Sequence, residues 1–75
     1  PAMDEVSIEM QGFEHQTFNV QLLDLTGKVL KETSIEHQFD TQIHPFTLPP
    51  VAGGMYYLKV SSDKEVRVRE IVILD

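Results

Sequence analysis

Three histidines, His15, His37 and His44, and twelve acidic residues are the side chains of this 75-residue chain with the most capacity for chemistry. None of the histidines stands in an H-x-H or H-x-x-x-H pair, spacings that would point to a metal site. Each lies among polar or turn-forming neighbours, so three solvent-facing rings are expected rather than a metal site assembled from separate strands. Glu32 with Asp40 is a pair of the kind that acid–base catalysis uses. Such a pair works only in a pocket that drives its two pKa values apart, and so short a chain leaves little interior for a cleft of about 300 Å³ or more. Ser7, Ser34, Ser61 and Ser62 lack the strained elbow that exposes a nucleophile. Gly53-Gly54 precedes a strand pattern rather than a helix, so it is not a phosphate loop. Asp24, Asp40 and Asp63 do not fall into a D-x-[DN]-x-[DN]-G calcium loop, and turn formation accounts for them. The chain has no cysteine, which removes thiolate metal sites and disulfides. The residues read as a non-catalytic module with no cofactor.

Size and charge narrow the class further. A single domain spanning residues 1–75 is all the length allows, and such a domain buries only about 60% of its unfolded surface. A hydrophobic fraction of 41% against 24% charged residues is enough for two packed layers. The net charge of −6 opposes a phosphate backbone and an anionic lipid surface, so neither nucleic acid nor membrane insertion is expected. No apolar run approaches the roughly 18 residues of a membrane span. Opening at Pro1, the chain is expected to be a piece of a larger protein. The charge is polarised along it: Asp4, Glu5, Glu9 and Glu14 precede any basic residue, whereas Lys59, Lys64, Arg67 and Arg69 gather near the end.

The elements that would carry these residues are strands. Val6, Ile8 and Met10 alternate with polar residues, as do Phe18, Val20 and Leu22, and then Tyr56, Leu58 and Val60. Between the second strand and the next, Asp24-Leu25-Thr26-Gly27-Lys28 reads as a tight reversal. The Asp24 carboxylate can accept from the turn's own amides, and Gly27 can take a positive φ. The returning strand, Val29 to Ile35, alternates weakly through Val29, Thr33 and Ile35. Phe39, Thr41 and Ile43 share one face of a further strand. Phe46 and Leu48 suggest a short edge strand among Pro45, Pro49 and Pro50, which exclude a helix there. Gly53-Gly54 gives a flexible corner before Tyr56, and Ser61-Ser62-Asp63-Lys64 has the composition of a hairpin turn. In the last strand Val66, Val68, Val72 and Leu74 share one face, interrupted by Glu70 through either a bulge or an exit from the core. Adjacent Tyr56 and Tyr57 must point to opposite faces. Six or seven short strands and no amphipathic helix predict an all-β antiparallel sandwich.

Several of these blocks, in this order, resemble a known family. Asn19-Val20-Gln21-Leu22-Leu23-Asp24-Leu25-Thr26-Gly27-Lys28-Val29-Leu30 is similar to its apolar strand ending in a D-x-x-G-K turn. Leu48-Pro49-Pro50-Val51-Ala52-Gly53-Gly54-Met55-Tyr56-Tyr57-Leu58-Lys59-Val60 is similar to its leucine, short loop, G-x-Y and apolar strand. Val66 to Leu74 stands where the family has its last strand. Pro1, with Val6-Ser7-Ile8-Glu9 after it, resembles the family's opening N-P and first strand. The family is that of type A C-terminal sorting domains of type IX secretion. In place of the basic residue that many members carry before the final apolar triplet, this chain has Glu70. The resemblance implies an immunoglobulin-like sandwich at the end of a secreted protein. It also implies passage through the periplasm to the outer-membrane surface, with the secretion machinery and a surface sortase as partners.

A recognition tag needs a presenting surface and no pocket. The final hairpin, with Tyr56, Lys59, Lys64, Arg67 and Arg69, is the candidate surface, read through its side chains or by strand addition at an edge. Two other readings share the same strands. One is an immunoglobulin- or fibronectin-like spacer or adhesion module; the other is a carbohydrate-binding module built around Tyr57.

Overall fold

A computed structural model describes residues 5–11, 16–38 and 41–74. Every regular element in them is a strand: β1 (Glu5–Gln11), β2 (Gln16–Leu23), β3 (Val29–His37), β4 (Thr41–Thr47), β5 (Gly54–Ser61) and β6 (Val66–Ile73). All pairings are antiparallel, and they make two sheets. One has the order β3-β2-β5-β6, and the other is the pair β1-β4. The all-β antiparallel sandwich expected from the sequence is what the chain forms.

The alternation in β2 decides where the core lies. Phe18, Val20 and Leu22 are buried, while Asn19 and Gln21 point the other way. Val20 and Leu22 join Phe46, Leu48, Leu58 and Ile73 in one cluster, with Val6, Ile8, Leu30 and Ile35 packed against it. Both sheets therefore supply the core, as period-two strands facing one another must.

The turn after β2 is built as the sequence predicts. Asp24 Oδ1 accepts from the Thr26 amide at 2.9 Å, the Thr26 hydroxyl at 2.6 Å and the Lys28 amide at 3.0 Å. The Gly27 amide donates to the Asp24 carbonyl at 3.0 Å, and Gly27 takes φ +91°. A side chain at that φ would be strained.

Three strand faces differ from the sequence reading. In β3 the register shifts between Leu22 and Leu23, so Lys31 stands opposite Leu22 while Val29 stands opposite Leu23. The extra residue turns Leu30 toward the core and leaves Val29 exposed. In β4 a single strand runs through the segment read as two. Its inward side is Gln42, His44 and Phe46; Ile43 is exposed and Phe39 lies outside the described residues. Pro45 is tolerated because, among the described residues, β4 pairs with β1 alone and so is an edge strand.

The third difference is in β6. Its pairing with β5 runs without a shift from Gly54 opposite Ile73 to Ser61 opposite Val66. A short turn, closed by Ser62 N donating to Glu65 O at 2.8 Å, sets that register. Tyr56, Leu58 and Val60 face inward, so their partners Ile71, Arg69 and Arg67 do too. Val66, Val68 and Val72 are thereby turned outward, and Glu70 sits among them opposite Tyr57. There is neither a bulge nor an exit from the core at Glu70; the whole valine face is the outer one.

Candidate functional site

The residues proposed for the recognition hairpin fall on different sides of it. Tyr56 faces inward and packs against the core, and its hydroxyl donates to the Ala52 carbonyl at 2.5 Å. That bond pins the Gly53-Gly54 corner, much as a tyrosine corner does in other sandwiches. Gly54 opens β5 at φ +150°. Tyr57 and Lys59 point outward, opposite Glu70 and Val68. Lys64 lies exposed in the turn, its amide donating to Ser62 Oγ at 3.2 Å.

Arg67 and Arg69 are on the inward side of β6, where they are exposed at the rim of a hollow shared with β1. Arg67 Nε bonds Glu65 Oε1 at 2.7 Å. The two arginines therefore share a side, whereas Lys59 is on the opposite face and Lys64 at the tip. Lys28, in the β2–β3 turn, is exposed and contributes backbone bonds to Asp24.

Beside Lys59 and Glu70, the outer face presents exposed aliphatic side chains. Val66, Val68, Val72 and Leu74 are 58%, 51%, 64% and 73% exposed, and Met55 beside Val72 is exposed as well. Among the described residues β6 pairs with β5 alone, and no described strand lies on its second edge. This stripe is legible in the sequence as an alternating strand, but the alternation gives no sign of which face is wet.

Of the two acid–base candidates, Glu32 is among the described residues. Glu32 is on the outer face, where its Oε2 accepts from Asn19 Nδ2 at 2.9 Å and Gln21 Nε2 at 2.6 Å. These two amides hold its carboxyl below the ordinary value. Its supposed partner, Asp40, lies outside the described residues. The Asp24 carboxyl is also held low, first by the Thr26 hydroxyl and then by the Lys28 amide. These are acceptors saturated by donors, which is the environment of a structural carboxylate.

Two hollows exist. One, of about 190 Å³, is walled by Ile8, Met10, Phe18, Leu58 and Val60, with Arg67 and Arg69 at its side. The other, of about 550 Å³, is a wide polar depression between Thr17 and Lys64 that includes Ser34, Ser61, Ser62 and Asp63. It is larger than the sequence reading allows for, because a turn and two strand ends frame it from outside the core. Among the described residues no three histidine or carboxylate side chains could together hold a metal ion, and no helix is long and apolar enough to cross a membrane.

The histidines depart most from expectation. His37 and His44 are 0% and 7% exposed, not solvent-facing, and they touch each other. His15 lies outside the described residues. A spacing of seven along the chain carries no motif; the contact exists because β3 and β4 are consecutive strands in different sheets.

No curated protein and no solved structure matches the chain. A family model does match, over residues 1–74, and its description is secretion system C-terminal sorting domain. The order of blocks seen in the sequence, the D-x-x-G-K turn, the G-x-Y corner and the terminal strand, is realised as one antiparallel framework. The chain belongs to the family of type IX secretion C-terminal sorting domains.

Proposed function

We propose that this domain acts as a sorting signal that carries an attached cargo through the periplasm and outer membrane to the cell surface, and that it catalyses nothing itself. The secretion machinery reads the β5–β6 hairpin, and a surface sortase then separates the domain from its cargo. The observation that carries this reading is the outward stripe of Val66, Val68, Val72 and Leu74 on a strand whose second edge pairs with no strand among the described residues. Contiguous apolar surface left in water marks an interaction site, and a free strand edge can accept another strand.

The basic residues then have separable parts. Lys59 lies within the apolar stripe, and Lys64 marks the tip. Arg67 and Arg69 flank the hairpin from the inner side. Asp24, Gly27, Lys28, Gly53, Gly54 and Tyr56 build the turns that hold the sandwich together.

The test is a fusion of residues 1–75 to a reporter in a type IX-competent host, compared with the same fusion lacking residues 56–75. Export should stop in the shortened fusion. Export that continues would remove the hairpin from the mechanism.

A further inference from the structure

Between β1 and β6 the sandwich has a hollow of about 190 Å³. Ile8 and Met10 of β1 wall it on one side, and Leu58 and Val60 of β5 on another. Arg69 stands opposite Leu58 and Arg67 opposite Val60, so the two arginines form its rim along β6. A cavity of about 150 Å³ with an aliphatic and aromatic lining takes a benzene ring, so this one has room for a large apolar side chain. Beside it runs the second edge of β6, on which no described strand lies. β6 contains no proline or glycine and pairs with β5 without a bulge, so that edge presents its backbone groups in one regular row.

We propose that this flank is a slot for one strand of another protein, which pairs with the second edge of β6 along residues 65–69 and sets an apolar side chain into the hollow beside a carboxylate. The inference rests on the reading that a partner meets the β5–β6 hairpin; it adds which edge is met and by what chemistry.

Pairing supplies the backbone bonds, and alternation delivers the side chains. A strand laid along β6 points every second residue the way Arg67 and Arg69 point, toward the hollow. An apolar residue there exchanges water for Ile8, Met10, Leu58 and Val60. The arginines at the rim favour a carboxylate at the neighbouring inward position and disfavour a cation. Arg67 holds Glu65 at 2.7 Å, but a guanidinium has five N–H donors. A carboxylate can therefore join either arginine without displacing a partner it already has.

A second copy of this chain does not fit the slot. Opposed residues of an antiparallel pair share a face, so a two-fold copy of β6 meets it inner row to inner row. Centred on Val68, the pairing sets Arg67 opposite the copy's Arg69. Centred on Arg67, Arg69 or Glu70, it sets that residue opposite itself. Like charges directly opposite one another are destabilising. Registers centred on Ile71 or Val72 avoid such pairs, but they slide the copy off residues 65–67 and away from the hollow.

The test appends the peptide Thr-Glu-Val-Leu-Val-Thr after residue 75 through a flexible glycine–serine linker, which holds it at an effective concentration in the ~mM range. Antiparallel to β6, its glutamate falls beside Arg69 and its leucine beside Arg67. Hydrogen exchange of the β6 amides should slow by about tenfold or more, and the methyl signals of Ile8, Leu58 and Val60 should shift. Lysine in place of the glutamate should remove about fivefold of that protection, and serine in place of the leucine should abolish the methyl shifts. Unchanged exchange, or equal protection from all three fusions, would overturn the slot. So would concentration-dependent protection of residues 65–69 in the unfused chain, which would give the edge to a second copy. The sorting role is judged apart from this. A slot that fails to form, while deleting residues 56–75 still stops export, sinks the slot alone; a slot that forms, while export survives that deletion, sinks the sorting role of the hairpin alone.

Discussion

β2 and β6 both spell a period-two run of aliphatic residues, yet they use it in opposite ways. β2 lies between β3 and β5, and its Phe18, Val20 and Leu22 are all buried under the second sheet. β6 is an edge strand whose valines face outward, while Arg67 and Arg69 occupy the first inward positions and only Ile71 and Ile73 reach the core. Burying a valine side chain is worth about 1.5 kcal/mol or more. The outer stripe of β6 forgoes that gain in the isolated domain and makes it available to whatever covers the strand. β2 is thus a strand for folding, and β6 is a strand for being met.

The contrast can be broken by substitution. Leu22→Ala empties a fully buried site and should destabilise the domain by about 3 kcal/mol. A small domain has only about 5 kcal/mol in hand, so its urea midpoint should fall by more than half. Gly27→Ala places a side chain at φ +91°, and a loss of about 1–2 kcal/mol should result with no change in the core. Tyr56→Phe removes the bond to the Ala52 carbonyl and should lower stability by about 1 kcal/mol in the same assay. The smallest effect belongs to β6: Val72→Ala should change stability by no more than about 0.5 kcal/mol, as exposed positions do. If Val72→Ala proved as damaging as Leu22→Ala, the valine face would be core and the assignment of β6 reversed.

Acid titration sharpens the comparison from the other side. Asp24 and Glu32 both belong to the β2–β3 half, and both carboxyls are held low by hydrogen bonds. An acid depressed in the fold stabilises above its unfolded value and loses that contribution as pH falls toward the folded one. Stability should therefore decline below about pH 4.5, and Glu32→Gln should make that decline shallower.

The strands and the Asp24–Lys28 turn were readable because their physics is local. Alternation sets a strand, and an aspartate three residues before a glycine sets a reversal. Faces were harder. In β6 both sides carry aliphatic residues, so the inward one is chosen by the length of the Ser62–Glu65 turn, a register effect that alternation does not encode. In β4 the proline hid a continuous strand. In β3 the shift beside Leu22 exchanged Val29 for Leu30. The His37–His44 contact was invisible for a further reason: its partners meet only after two sheets stack, and polar flanking residues gave each ring the look of a surface residue. As for the hairpin, the sequence supplied its place in the chain and its charges, while the structure separated those charges onto different sides.

The most direct test pairs export with stability in one variant, Val68→Asp with Val72→Asp. Both positions are exposed on the outer face of β6. Urea midpoints of the isolated domain should stay within the equivalent of about 1 kcal/mol of the parent, while export of a fused reporter should be lost. Undiminished export from a folded double variant would contradict a β6 surface read by the secretion machinery, and collapse of the fold would contradict an outward valine face.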